Sequence, residues 1–216
     1  MNSIYFILLL TALVMYGMAL ATKQRFIMLL FIYLLSSLVV ALLAFYVRAH
    51  TKSGNNLFLF HIFTPVEYTL LSLVYYTILS GPKIRKAVLV SIPVFIGLSV
   101  FFSLFVQGTL DNNSYIGIIE SILLICQTLL FLREVLLLKQ VTALYRYPLF
   151  WISTGILVYF TETMVIEGLL DYLIRHSMGL ALQAYMISYI FKYLLFLALM
   201  AGAWFELAGG QRKVAA

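Results

Sequence analysis

The sequence predicts an all-α protein, an integral membrane bundle of seven transmembrane helices. Of its 216 residues, 64% are hydrophobic and only 10% are charged, whereas a soluble domain carries about 25% charged residues. Apolar stretches of about 20 residues, the length that crosses ~30 Å of hydrocarbon, recur seven times. Residues 1–206 are therefore expected to form one transmembrane domain, and residues 207–216 a short polar tail.

The first span, residues 3–22, is expected to be a retained helix rather than a signal peptide. Its Ala19-Leu20-Ala21 mimics a cleavage site, but a signal peptide carries positive charge before its apolar core. Here Lys23 and Arg25 come after the core, which is also too long. The second span, residues 26–47, follows directly.

Turn-forming residues separate the later spans, among them Lys-Ser-Gly-Asn-Asn at 52–56 and Gly81-Pro82. None of the connecting segments is long enough to form a soluble domain. The remaining predicted spans are, in order, residues 57–80, 87–107, 115–138, 148–174 and 178–206.

The distribution of basic residues predicts that the N-terminus lies outside and the C-terminus inside. The inner connections then hold ten basic residues and the outer ones three, which is the bias of the positive-inside rule. The expected location is a cell membrane, which the chain crosses several times. The inner residues are Lys23, Arg25, Lys83, Arg85, Lys86, Arg133, Lys139, Arg146, Arg212 and Lys213, and the outer ones are Arg48, Lys52 and Arg175.

The formal net charge of +6 does not indicate a nucleic-acid partner, because the basic residues lie in short loops and form no patch interleaved with aromatic residues. Membrane lipids are the partners that the composition predicts. The single cysteine, Cys126, lies in an apolar span and is expected to be a small buried hydrophobe. No metal-ligand spacing and no GxSxG motif occurs, so no metal site and no catalytic residue is assigned.

Lys192 is the most informative residue for function, because it lies in the middle of the last apolar run. A lysine at that depth costs about 3 kcal/mol on insertion scales unless it finds a partner or water. Ionisable residues inside membrane spans are by default candidates for binding or coupling. The carboxylates that lie inside apolar runs are Glu67, Glu120, Glu162 and Glu167.

Depth along the helices selects partners for Lys192 and predicts a cavity. At the rise of an α-helix, Lys192 lies ~21 Å from the outer end of its span, and Glu67 and Glu162 lie ~15 and ~18 Å deep. Since the ionisable residues concentrate in the outer half and the middle, we expect an outward-facing polar cavity with Lys192 and one or two glutamates at its floor. The residues proposed for the cavity and its charge network are His61, Glu67, Glu120, Glu162, Glu167, Tyr185, Ser188 and Lys192.

Helical periodicity adds detail and leaves structural interpretations open. Tyr185, Ser188 and Lys192 lie at i, i+3 and i+7 and are expected to share one face of the seventh helix. His61 and Glu67 are six residues apart and point in different directions in a straight helix, although Pro65 between them can introduce a kink. A packing salt bridge is the alternative to a binding role for the lysine and its glutamate, whereas His61 is more often a hydrogen-bonded packing residue.

With a lysine in the seventh helix and a carboxylate in the third, the chain resembles the retinal-binding rhodopsins. These proteins also have the N-terminus outside and the C-terminus inside. The Arg-Tyr-x-x-x-Trp pattern of the third helix of microbial rhodopsins is absent. The residue four positions before the lysine is Ser188, where that family has Asp. Neither retinal nor any other cofactor is therefore expected.

Three further stretches carry a family resemblance. They are Asn55-Asn56 with His61 and Glu67-Tyr68, the segment 148–160, and Ser188-Tyr189-Ile190-Phe191-Lys192-Tyr193. In them the chain resembles small, uncharacterised seven-helix inner-membrane proteins of Bacteroidetes-type bacteria. The resemblance implies a membrane sensor or signalling partner, since some relatives are associated with histidine kinases, and it supplies no catalytic residue.

The leading interpretation is a receptor-like or sensory membrane protein without enzymatic activity. It binds a small, amphipathic or anionic molecule through Lys192, with Glu67 or Glu162 as the counter-ion, and signals to a separate protein through the inner loops at 83–86 and 139–146. One alternative is a small proton- or ion-coupled transporter, against which the scarcity of polar residues in the inner half is a hint. The other is an intramembrane lipid-modifying enzyme with Glu and His as acid and base.

Overall fold

The computed structural model of the protein describes residues 3–51, 55–137 and 144–209, without the side chain of Asp171. These ranges contain seven α-helices and no strand. Each helix is long and apolar enough to cross a membrane, so the predicted all-α fold with seven candidate spans is confirmed. The helices are α1 (Ser3–Ala19), α2 (Arg25–His50), α3 (Phe58–Ile78), α4 (Pro82–Phe105), α5 (Ser114–Leu137), α6 (Pro148–His176) and α7 (Met178–Leu207), with 3-10 turns at Leu20–Thr22 and Leu144–Arg146.

Some helices extend past the predicted spans. α4 begins at Pro82, before the predicted 87, because proline is favoured at the first helical position. α2 continues beyond the predicted 47 to His50, with Arg48 and His50 in its last turn, where cations interact favourably with the helix dipole. Ser177 alone separates α6 from α7, and its hydroxyl accepts a bond from the Leu180 amide at 3.4 Å, which caps α7.

The helices form a closed bundle in which neighbours along the chain pack together. α1 packs against α2 and α7, α6 against α5 and α7, and α3 against α2, α4 and α5. The short connections make successive helices antiparallel. We name the end at which α1 begins the Ser3 end and the end at which α7 finishes the Leu207 end. The Ser3 end is the one predicted to face outside.

Apolar side chains cover the surface of the bundle as well as its interior. A chain that crosses a membrane can expose apolar surface to lipid, whereas a soluble monomer rarely exposes contiguous apolar patches this large. Cys126 on α5 also belongs to this exposed surface, so the expectation that it is buried is wrong. Its helix face points away from the neighbouring helices. Other strongly exposed apolar residues are Ile7, Val14, Leu104, Phe105 and Leu136.

α6 and α7 approach each other closely where glycines face the partner helix. A Cβ added at Gly155 lies 2.5 Å from the Cβ of Ala198, and one added at Gly202 lies 2.6 Å from Cγ1 of Ile152. Small residues allow such close approach of helix backbones in membrane bundles. The two glycines therefore fix α7 against α6 in the half of the pair that lies next to the Leu207 end.

α6 and α7 are also the longest of the described helices, with 29 and 30 residues. At 1.5 Å per residue they are about 43 and 45 Å long, whereas the hydrocarbon core of a bilayer is about 30 Å thick. The part of this hairpin next to the Ser3 end exposes many apolar and aromatic side chains, among them Leu169, Tyr172, Ile174, Met178, Leu180, Leu182 and Met186.

Candidate functional site

Lys192 and Glu67 form an ion pair in the interior of the bundle. Lys192 lies in the middle of α7, and Glu67 lies in α3 two residues after Pro65, which removes one backbone hydrogen bond from that helix. Nζ of Lys192 is 3.6 Å from Oε1 of Glu67, and the two side chains are only 14% and 8% exposed. Glu67 is one of the two glutamates that the depth estimate selects for this lysine.

Two tyrosines contact the ends of this ion pair. The hydroxyl of Tyr33, on α2, donates to Oε1 of Glu67 at 2.8 Å. Nζ of Lys192 donates to the hydroxyl oxygen of Tyr159, on α6, at 3.2 Å. It lies 4.3 Å from the centre of the same ring, a cation–π distance, and the ring of Phe196 is 6.0 Å away. The ion pair therefore joins α2, α3, α6 and α7.

Glu162 lies on α6, one turn from Tyr159, and also faces α7. Its Oε1 accepts a hydrogen bond from the hydroxyl of Ser188 at 2.6 Å, and its carboxylate interacts electrostatically with Lys192. The residue is buried, and Oε2 has no hydrogen-bond partner among the residues that the structure describes. A buried oxygen of this kind retains an unused capacity to accept a hydrogen bond.

Glu120, on α5, is the third carboxylate near the lysine. It is buried, and it interacts electrostatically with both Glu67 and Lys192. Within the described part of the chain, its Oε1 finds no hydrogen-bond donor. Three carboxyl groups thus interact with one ammonium group, Glu67 by direct contact and the other two electrostatically. We name this set of residues the charge cluster, which consists of Tyr33, Glu67, Glu120, Tyr159, Glu162, Ser188 and Lys192.

His61 lies apart from the charge cluster. Its Nδ1 is 2.7 Å from the hydroxyl of Ser103 on α4, and its Nε2 is 3.0 Å from the carbonyl oxygen of Asp111. Both ring nitrogens therefore tie α3 to α4 and to the connection that follows α4. These contacts support a packing role for His61. They do not place its imidazole beside a glutamate, which acid–base catalysis on lipid would require.

Glu167 and Tyr185 are likewise placed outside the charge cluster. Oε2 of Glu167 accepts a bond from the side-chain amide of Asn112 at 3.1 Å, which links α6 to the connection between α4 and α5. Tyr185 is 40% exposed on the surface of α7. Of the eight residues proposed from the sequence, the structure brings together Glu67, Glu120, Glu162, Ser188 and Lys192.

Tyr33 and Tyr159 contact the ion pair although the sequence does not assign them to the site. A buried tyrosine hydroxyl usually finds a hydrogen-bond partner, so each tyrosine in the middle of a span is a candidate. The chain has 15 tyrosines, however, and spacing alone does not show which of them face Lys192. Which tyrosines face Lys192 depends on how each helix is rotated about its axis.

A row of buried polar side chains continues from the charge cluster towards the Leu207 end. The amide of Gln127, on α5, donates to the hydroxyl oxygen of Tyr68 at 3.2 Å and to that of Ser72 at 3.1 Å. Further along α3, the hydroxyl of Tyr75 is 2.7 Å from that of Thr128. This half of the bundle is therefore richer in buried polar groups than the sequence analysis expects.

Two clefts lie away from the charge cluster. One, of about 470 Å³, opens at the Leu207 end, and its lining includes Lys23, Arg25 and Tyr147. The other, of about 330 Å³, is an apolar groove between α2 and α3 whose lining includes Leu35 and Phe63. No residue of the charge cluster lines either cleft.

In the described part of the chain, no group of three or more His, Cys, Asp or Glu side chains is arranged to hold a metal ion. Comparison of the chain with family models, with curated proteins and with solved structures found no match in any of the three. The chemistry of the charge cluster is therefore interpreted from its own geometry.

Proposed function

We propose that this is a receptor-like, sensory membrane protein and that the charge cluster is its binding site. The supporting observation is that one ion pair and two tyrosines link four helices in an apolar interior. Removing one partner of a buried pair costs about 3 kcal/mol or more. A molecule that competes for either charge therefore changes how α2, α3, α6 and α7 pack, and a sensor requires such a coupling of binding to conformation.

The proposed output lies at the Leu207 end, which we place on the cytoplasmic side. α3 holds Glu67 and is followed after three residues by α4, whose first turns contain the basic segment Lys83–Lys86. The second proposed output loop, 139–146, lies outside the described residues except for Leu144–Arg146. A separate signalling protein would receive the signal, in keeping with the resemblance to kinase-associated sensors.

The proposed location is a bacterial inner membrane, with the N-terminus outside and the C-terminus inside. Seven apolar helices support a multi-pass membrane protein, and the ten-to-three distribution of basic residues supports the orientation. Four of the basic residues in this count lie outside the described residues, namely Lys52, Lys139, Arg212 and Lys213.

Ligand capture tests the receptor proposal. The purified protein in lipid nanodiscs is incubated with a bacterial metabolite extract and washed, and retained compounds are identified by mass spectrometry. We expect a compound whose retention by the Lys192→Met variant differs clearly from its retention by the wild type, because the ligand competes for one of the charges of the ion pair. Arg175→Met, which removes an exposed cation at the end of α6, is the control and should retain it. Identical retention by wild type and Lys192→Met contradicts the proposal.

A small proton-coupled transporter is the second candidate, and the polar row around Gln127 supports it. The row consists of hydroxyl and amide groups that extend from the charge cluster towards the Leu207 end. Protons or a polar substrate can pass along such groups. Proteoliposomes with an imposed pH gradient distinguish the two functions. A carrier accumulates the captured compound, and Gln127→Leu reduces its uptake, whereas a receptor binds the compound without accumulating it.

A further inference from the structure

We propose that the molecule bound by the charge cluster is a small primary amine, carried as an ammonium group on an apolar body. This inference rests on the proposed function and specifies the ligand class of the same site. It replaces the anionic ligand that Lys192 alone suggests. Three observations on the cluster carry it: the excess of carboxyl groups, the unused acceptor oxygens, and the environment that already holds one ammonium group.

The first observation concerns charge. Glu67 contacts Lys192 at 3.6 Å, and Glu120 and Glu162 interact with it electrostatically. The cluster therefore holds three acidic groups and one basic group in a region shielded from water. An anionic ligand adds a negative charge beside these acidic groups, whereas a cationic ligand gives a carboxylate an opposite charge. A like charge nearby disfavours the charged form of a group and an opposite charge favours it, so the cluster favours a cation.

The second observation concerns hydrogen bonds. Lys192, the donor that an anion needs, already donates to the hydroxyl of Tyr159 and has the carboxylate of Glu67 at 3.6 Å. In contrast, Oε1 of Glu120 and Oε2 of Glu162 are buried and without a donor among the described residues. An ammonium group brings three donors and no acceptor. The cluster thus offers acceptors to a ligand, and a primary amine supplies what they need.

The third observation is that the cluster already accommodates one ammonium group, that of Lys192. Its surroundings are a carboxylate at 3.6 Å, a hydroxyl at 3.2 Å, and two aromatic rings at 4.3 and 6.0 Å. Carboxylates and aromatic faces are the groups that recognise ammonium ligands in proteins. A ligand ammonium at Glu162 would compete with Lys192 for the same carboxylates and weaken the link between α3 and α7.

The amine end of the ligand is assigned to Glu162, which is the most exposed of the three glutamates and accepts a hydrogen bond from Ser188 on α7. Its partner Ser188 is only partly buried, and Tyr189 next to Ser188 is 45% exposed. The apolar body of the ligand then lies along the aromatic and aliphatic surface of α7. A purely polar amine lacks this contact and is expected to bind more weakly.

Matched pairs of small molecules test the sign of the ligand's charge. The probes are n-butylamine and phenethylamine, each compared with the acid of similar skeleton, butyrate and phenylacetate. Thermal unfolding of the protein in nanodiscs is measured at increasing probe concentration. We expect a saturable rise of the unfolding midpoint with the amines, larger for phenethylamine, and none with the acids.

Two isosteric variants assign the effect to the charge cluster. Glu162→Gln is expected to weaken phenethylamine binding by about tenfold or more, because truncating one partner of a buried charge pair has effects of that size. Glu167→Gln, on the same helix but bonded to Asn112, is the matched control and should bind like the wild type. If Glu162→Gln does not fold, Glu120→Gln serves instead, with weaker amine binding expected.

The outcomes separate this inference from the receptor proposal. Stabilisation by the acids but not by the amines overturns the ligand class and leaves the receptor proposal standing. The absence of any effect from either amine also overturns the inference. The receptor proposal is decided separately by the comparison of wild type with Lys192→Met in ligand capture.

Discussion

Lys192 is tolerated in an apolar helix because several groups share its charge. A lysine at the centre of a span costs about 3 kcal/mol on insertion scales. Glu67 supplies the opposite charge at 3.6 Å, which is longer than the roughly 2.8 Å of a direct charge-assisted hydrogen bond. Tyr159 supplies a closer hydroxyl at 3.2 Å and a ring face. The ammonium group is therefore positioned by both partners, and a modest displacement suffices to exchange one for the other.

The energetic coupling of Lys192 and Glu67 can be measured with a double-mutant cycle. Lys192→Met and Glu67→Gln each leave a buried charge without its partner, so each is expected to lower stability by about 3 kcal/mol. The double variant leaves neither charge and should recover most of that loss. Reversible unfolding in detergent or nanodiscs provides the four stabilities. Strictly additive single effects would show that the pair does not interact.

His61 is expected to matter for stability and not for ligand binding. His61→Ala leaves the hydroxyl of Ser103 and the carbonyl of Asp111 without their partner, which costs about 1–3 kcal/mol. His50→Ala is a matched control, because His50 is exposed and its ring bonds to the carbonyl of Tyr46 within the same helix, so its effect should stay within about 0.5 kcal/mol. Loss of ligand capture in a folded His61→Ala variant contradicts this assignment.

Depth is the part of the site that the sequence predicts well. The positions of Glu67, Glu162 and Lys192 along their helices follow from the rise per residue. In the structure Lys192 lies 3.6 Å from Glu67 and interacts electrostatically with Glu162. The sequence does not predict how each helix is rotated about its own axis. A membrane helix is apolar on every side, so the hydrophobic pattern does not show that Tyr33 faces Glu67 or that His61 faces α4.

At the scale of the helices, number and order are predicted but several ends are not. Hydropathy places the beginning of the fourth span after Lys83, Arg85 and Lys86, because these residues are charged. The helix nevertheless begins at Pro82, since charged side chains can occupy helical turns outside the hydrocarbon. The close contact of α6 with α7 at Gly155 is also unpredicted, because it depends on which faces of the two helices meet.

The contact at Gly155 makes a clear prediction for the α6–α7 pair. Gly155→Ala places a Cβ 2.5 Å from that of Ala198, and overpacking of this kind is expected to cost about 1–3 kcal/mol. A matched control is Gly97→Ala in α4, where an added Cβ meets nothing within 4 Å. This control should be neutral or up to about 1 kcal/mol more stable, because alanine favours helix. Equal unfolding midpoints for the two variants contradict the close packing.

At the scale of the whole molecule, α1 closes the bundle between α2 and α7. The charge cluster takes its residues from α2, α3, α5, α6 and α7, so its geometry depends on the closed arrangement rather than on one pair of helices. A displacement within the cluster is consequently transmitted to most of the bundle. The sequence predicts seven antiparallel helices but not which non-consecutive helices touch, because lipid-facing and protein-facing surfaces are equally apolar.

The orientation in the membrane is tested by cysteine labelling in a Cys126→Ser background. With the N-terminus outside, Thr51→Cys after α2 should react with a membrane-impermeant maleimide on intact cells. Lys83→Cys, exposed in the first turn of α4, should react only after the cells are opened. The reverse pattern of labelling would contradict the proposed orientation, and it would also contradict the proposed output on the cytoplasmic side.

The excess length of α6 and α7 predicts that the stability of the protein depends on bilayer thickness. The span Ser3–Thr22 has 20 residues, about 30 Å, so a bilayer that matches it leaves the exposed leucines and methionines of the hairpin in water. Such mismatch costs a fraction of a kcal/mol per Å and sorts proteins among membranes. The unfolding midpoint should therefore rise as lipids with longer acyl chains are used, and the protein should collect in the thicker regions of a mixed membrane.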